Sequence, residues 1–137
     1  MPRNHAAASH RLVREVLATG GVQGGPFGTD ELRRSFERPP VDGPEAYWER
    51  LAPHAAPIDL WETEYQHELE GEDAVFEWLR GTTLRPILTA LEDGDRARFE
   101  EALRIRLRQA YPRRSDGRTR FAFRRLFLVA TRRDDGA

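Results

Sequence analysis

Thr119-Arg-Phe-Ala-Phe-Arg-Arg-Leu-Phe-Leu-Val-Ala-Thr131 is the stretch on which the fold turns. It is dominated by Phe, Leu and Val and ends in a near-continuous apolar run, the pattern of a strand inside a sheet. A second stretch, Ala56 to Leu69 (APIDLWETEYQHEL), alternates instead. Ile58 and Leu60 stand against Asp59, and Trp61, Thr63, Tyr65 and His67 then share one side; a period of two predicts a strand. No third run reads this way, and an isolated two-stranded unit is marginal in water. The edge of the final strand, RLFLVA, would present bare N–H and C=O groups beside apolar side chains, an arrangement that invites aggregation. The expectation is that something outside this sequence pairs with strand 119–131, either another chain or a second copy.

Helices surround these strands. Leu12, Val13, Val16 and Leu17 recur at helical spacing from Ser9 to about Ala18, with Ser9 read as the cap. The glycine-rich stretch Gly20 to Thr29 (GGVQGGPFGT) reads as a mobile surface loop. Short helices follow at Asp30 to Phe36 and Pro44 to Leu51, separated by Arg38-Pro39-Pro40, which no helix crosses. Two more are expected at Asp73 to Arg80 and about Leu84 to Leu91. From Asp93 to Tyr111 the stripe Phe99, Leu103, Leu107, Ala110, with Glu100 and Arg104 at i and i+4 on the polar side, predicts the longest helix.

Composition narrows the function classes. The 137 residues suit one domain. The balance of 22 basic and 23 acidic residues gives a net charge of -1 and no field to draw in nucleic acid or an anionic membrane. Every basic residue is Arg; a GC-rich genome accounts for that, although Arg also suits bidentate capture of carboxylates. Without cysteine there is no disulfide, thiolate zinc site or cysteine nucleophile. No apolar signal core or membrane-length run is visible, so a soluble cytoplasmic protein is expected.

Few motifs suggest chemistry. Gly20, Gly21, Gly24, Gly25 and Gly28 resemble a phosphate cradle only in composition: no Lys-Ser/Thr follows, and no strand precedes them. His5, His10, His54 and His67 lack metal-ligand spacing, so no metal is expected. Ser9 beside His10 is not read as a nucleophile pair, because adjacent helix positions point apart. Polar and aromatic groups do gather at element ends, in Tyr65-Gln66-His67, Trp78, Gly81 to Pro86, Tyr111-Pro112 and Phe123 to Phe127. Such groups suit a small molecule bearing several carboxylates. On composition alone they read first as surface ion pairs and a packed Trp.

Those residues carry a resemblance. Met1-Pro-Arg-Asn4, Ser9-His10-Arg11-Leu12 with Arg14-Glu15, Ile58-Asp59-Leu60-Trp61, Tyr65 with His67, Trp78, Thr82 with Leu84-Arg85-Pro86, Tyr111-Pro112, and Arg125-Leu126-Phe127 with Val129-Ala130 follow one family in order and spacing. Over nearly the whole chain the sequence resembles the C-terminal half of the trans-aconitate 2-methyltransferase family, S-adenosylmethionine-dependent class I methyltransferases. One departure is Thr83, where the family pattern usually has Gly; a positive φ there would strain the turn.

The resemblance implies an α/β fold. Residues 1–137 would be the C-terminal portion of a methyltransferase domain with a Rossmann-like sheet: the helix after the fifth strand, the sixth and seventh strands, and a helical substrate cap. In the family order 3-2-1-4-5-7-6, residues 119–131 would be the seventh strand and 56–69 the sixth. The absent neighbour would be the fifth, ending just before Met1, with the donor-binding half missing and Met1 an internal start, a truncation or an expressed fragment.

The implied reaction of the intact enzyme is transfer of the sulfonium methyl group to a carboxylate oxygen of trans-aconitate. S-adenosylmethionine would be its cofactor, with none expected for this chain alone, and no catalytic residue is assigned. Arg85 and Arg125 would grip the non-reacting carboxylates, while Tyr65, His67, Trp78 and Thr82 shape the pocket. The alternative is a non-catalytic module that binds a polycarboxylate or a partner chain supplying strands.

Overall fold

The computed structural model describes residues 1–20 and 24–134. Eight elements follow one another among them: α1 (Ala8–Thr19), α2 (Asp30–Ser35), α3 (Pro44–Leu51), β1 (Ala55–Glu70), α4 (Ala74–Arg80), α5 (Arg85–Ala90), α6 (Asp93–Ala110) and β2 (Arg118–Arg132). The α/β class, both strands and every expected helix are present. β1 and β2 form a two-stranded sheet.

Opposite charges line the two strands of that sheet. β1 carries Glu64, Glu68 and Glu70, while β2 carries Arg118 and Arg124. Arg118 pairs with Glu68 at 3.3 Å and Glu70 at 3.6 Å, and Arg124 with Glu64 at 3.7 Å. Each exposed pair contributes little, and because every charged residue on β1 is acidic and every one on β2 is Arg, the pairs draw the strands together without fixing one register. Apolar contact adds to this where Trp61 stacks on Phe127, ring centroids 5.3 Å apart.

The far edge of β2 is not bare. Met1–Asn4 run antiparallel to it, with a bridge between Pro2 and Arg125. Arg3 N–H donates to the Arg124 carbonyl at 3.0 Å, and Leu126 N–H donates to the Met1 carbonyl at 2.7 Å. Asn4 extends the pairing with its side chain: Oδ1 accepts from Arg124 N–H at 2.8 Å, and Nδ2 donates to Arg124 C=O at 3.0 Å. The expectation that only something outside the sequence pairs with strand 119–131 is therefore corrected over Arg124 to Leu126. Pro2 fits because an edge position demands no donor from it.

The interior character expected for the whole of β2 holds only in part. Thr119, Phe121, Phe123 and Leu126 are buried, whereas Val129 is 59% exposed. The inward alternation slips by one across the exposed pair Arg124–Arg125, so the apolar run beyond it is not enclosed.

The described chain divides into two compact units, and both strands pass through each. One comprises Met1–Asn4, Pro39–Tyr65 and the chain from Ala122; the other comprises His5–Arg38 and Gln66–Phe121. The second unit has the larger core. Leu12, Val13, Val16 and Leu17 of α1 are buried, as are Phe99, Leu103 and Leu107 of α6, and these two helices pack on each other. Ala110, expected in the same stripe, is exposed.

Two local expectations are corrected. Ser9 does not cap α1: the N-cap is Ala7, with no side-chain hydrogen bond, and Ser9 lies inside the helix. The glycine-rich stretch is not simply a surface loop. Gly20 ends α1 at φ 75°, a conformation in which a side chain would collide with the Gly25 carbonyl. Phe27 is buried edge-on against Phe99, centroids 5.7 Å apart, and its N–H donates to the Leu17 carbonyl at 2.9 Å. Gly21, counted in the same stretch, lies outside the described residues. No helix among the described residues is long and apolar enough to cross a membrane.

Candidate functional site

Four of the six candidate residues fall in the unit containing Gln66–Phe121. His67 leaves β1 toward Trp78 of α4, ring centroids 5.0 Å apart. Trp78 meets Phe121 edge-on at 5.7 Å, and Phe121 meets Tyr111 at 5.5 Å. His67 and Trp78 are thus brought together, at one end of an aromatic series that Phe121 ties to the core. Both are half-buried, as ligand-facing rings need to be.

Thr82 and Arg85 occupy one turn. Helix α4 ends at Arg80, and the chain reverses through backbone bonds from Thr82 N–H and Leu84 N–H to the Leu79 carbonyl, 3.1 and 3.0 Å. Leu84 and Ile87 are fully buried, which leaves Thr82 and Arg85 exposed on the outer side. Pro86, in the first turn of α5, suits a helix start.

Tyr65 and Arg125 belong to the other unit. Tyr65 is exposed on β1. Arg125 is exposed on β2, its guanidinium lying over the Phe123 ring at 5.4 Å. Among the described residues neither Arg85 nor Arg125 forms an ion pair, although twelve other arginines do. Their guanidiniums therefore retain charge and donors for an anion.

The cleft of about 260 Å³ beside Asp73, Phe76, Arg108, Tyr111, Arg113 and Thr119 is a poorer anion site. Arg108 grips Asp73 through two bonds of 2.7 and 2.8 Å, and Arg113 Nε donates to the Gly117 carbonyl at 2.8 Å. The Arg108 bond, followed by the charges of Arg108 and Arg104, holds the Asp73 carboxyl below its usual range. Asp73 also takes the left-handed conformation, φ 51°, as the N-cap of α4. It alone does so among the described non-glycine residues, so Thr83, where positive φ would have meant strain, is free of it.

Ser9 and His10 overturn the expectation that adjacent helix side chains diverge. Ser9 Oγ lies 3.0 Å from His10 Nδ1, and Thr83 Oγ1 lies 3.2 Å from His10 Nε2. Burial, then the nearby Arg14 and His5, push the His10 pKa down to about 4. No group of three or more metal-ligating side chains occurs among the described residues.

Gly20 closes a helix rather than following a strand, and Gly28 precedes a helix of only six residues.

No protein-family model matches the chain. Individual proteins do. A protein of Pseudomonas aeruginosa (strain UCBPP-PA14) is 39% identical over 131 residues, covering 96% of this chain and 48% of the relative. It is named trans-aconitate 2-methyltransferase. The relatives of this chain are named trans-aconitate 2-methyltransferases. Another, from Methylobacterium radiotolerans, is 42% identical over 133 residues, 95% of this chain and 49% of the relative. A third, from Yersinia pestis (strain Pestoides F), is 38% identical over 130 residues, 95% of this chain and 48% of the relative. The chain spans about half the length of the curated trans-aconitate 2-methyltransferases it matches, consistent with their C-terminal half.

Proposed function

We propose that these residues form the acceptor-side part of an S-adenosylmethionine-dependent carboxyl O-methyltransferase acting on trans-aconitate. The observation that carries this reading is the 38–42% identity to proteins of that name along nearly the whole chain. A carboxylate acceptor is already ionised at neutral pH, so this part needs no general base. What it must do is orient the acceptor and shed water around it. Arg85 holds a carboxylate that does not react, since pairing the attacking oxygen would blunt it; for Arg125 the same task is what the resemblance implies. His67 and Trp78 supply an aromatic wall, with Thr82 as a polar contact; for Tyr65 a part in the pocket is what the resemblance implies.

S-adenosylmethionine is held by residues outside these 137, in the half of the relatives that the chain does not span, and the chain alone is inactive. The same reading assigns a cover to the part of the β2 edge that Met1–Asn4 do not reach: a preceding strand, another chain or a second copy.

Calorimetry tests the division. The chain is expected to take up trans-aconitate and not S-adenosylmethionine. Tight binding of the methyl donor overturns the assignment of its site, and failure to bind trans-aconitate overturns the acceptor reading. In a protein that joins this chain to a donor half, Arg85→Ala is expected to raise KM for trans-aconitate by about ten-fold or more, the loss of one charge-assisted contact. KM for the methyl donor should stay within two-fold; equal effects on both would refute the clamp.

A further inference from the structure

His10 is a half-buried imidazole that the acceptor reading leaves without a task. Its Nδ1 faces Ser9 Oγ at 3.0 Å and its Nε2 faces Thr83 Oγ1 at 3.2 Å. A neutral imidazole offers one N–H and one lone pair, and a hydroxyl can serve as either partner, so both nitrogens are satisfied in either tautomer. Ser9 is itself fixed, wholly buried, with its backbone N–H donating to Tyr111 Oη at 3.0 Å. The ring is therefore held from one side by the core and reaches out to a single residue of the turn before α5.

That residue, Thr83, lies between the candidate ligand residues Thr82 and Arg85. The backbone bond closest to Arg85, from its N–H to the Thr82 carbonyl, is 3.3 Å, the longest in the turn. Leu84 and Ile87 hold the turn down by burial, but apolar burial has no direction. A hydrogen bond does, and the β-branched Thr83 has few rotamers through which to lose it.

We propose that the hydrogen bond between His10 and Thr83 orients the turn bearing Thr82 and Arg85, so that Arg85 presents its guanidinium to a carboxylate ligand. His10 and Thr83 are positioning residues in this scheme and touch no ligand. The ligand half of the proposal rests on the acceptor reading above; the turn half does not.

Amide hydrogen exchange and trans-aconitate titration on the same chain test both halves. Thr83→Val, which keeps shape and removes the hydroxyl, is expected to speed exchange at Leu84 and Arg85 by about five-fold while leaving α6 amides unchanged. Thr83→Ser, which keeps the hydroxyl, should restore the native rates. Affinity for trans-aconitate should fall about five-fold in the Val variant and not in the Ser variant, and adding Thr83→Val to Arg85→Ala should cost nothing more. Native exchange in the Val variant overturns the proposal. A further loss of affinity in the double variant shows that the bond acts on something other than Arg85. Absence of trans-aconitate binding throughout defeats the acceptor reading and the ligand half together, while exchange alone still decides the turn half.

Discussion

Asn4 presents a side-chain amide where a strand would present a peptide group. It is 9% exposed and meets both the N–H and the C=O of Arg124. Replacing it with Ala leaves the part-buried Arg124 N–H without that acceptor, a loss of roughly 1 kcal/mol. Urea unfolding should show a lowered midpoint for Asn4→Ala, with Asn4→Asp in between because it keeps the acceptor and loses the donor. His10 makes a different demand at the same scale. Its pKa is depressed to about 4 from an ordinary value of 6.5, so the fold favours the neutral ring. Stability from that preference is present above about pH 6.5 and is lost as pH falls toward 4, roughly 3 kcal/mol across the window. His10→Gln should flatten this part of the unfolding profile between pH 6.5 and 4; an unchanged profile there would mean that His10 does not carry the loss, since Asp73, held below its usual range, loses its contribution only at lower pH. Neither role was legible beforehand. A rule about which way neighbouring helix residues point does not foresee a ring that folds back onto the preceding hydroxyl, and nothing in the order of residues pairs position 10 with position 83.

Helices α1 and α6 and strand β1 were legible because each had a clear period. Phe99, Leu103 and Leu107 recur at helical spacing and are buried on α6, and Glu100 meets Arg104 at 3.7 Å as their spacing implied. The α1–α6 contact should accordingly dominate stability. Leu103→Ala, which hollows a wholly buried position, is expected to cost about 2–5 kcal/mol, measurable as a drop in Tm. A cost below about 1 kcal/mol would mean that the site collapses around the smaller residue. β2 was read less well. Its composition announced a strand, but the slip of phase across Arg124–Arg125 depends on how Met1–Asn4 and β1 bracket it, and such pairing is not written in any one segment. The candidate site divides in the same way. His67 and Trp78 were drawn from separate segments and meet, whereas the Tyr65 and Arg125 assignments rest on the resemblance.

Burial is unevenly spread over the molecule. Of the 18 buried apolar residues described, 15 lie in the unit of His5–Arg38 and Gln66–Phe121; the other unit has only Ala55, Phe123 and Leu126. That smaller unit also carries Met1, Trp48, Trp61, Tyr65 and Val129, five of the six large apolar side chains left exposed. With so little apolar area withdrawn from water, it has less to set against the entropy of ordering its chain. Opening should therefore proceed in two tiers. In native-state hydrogen exchange with added urea, amides of Ile58–Thr63 and Leu126–Ala130 are expected to exchange through an opening at least about 2 kcal/mol below that of Val13–Leu17 and Phe99–Leu107. The strand residues Gln66–Leu69 and Thr119–Phe121, covalently continuous with the labile ones, should follow the slower tier because their contacts lie in the larger core. Uniform protection along the whole of β1 and β2 would refute the division, since it would make the sheet, rather than each core, the cooperative unit.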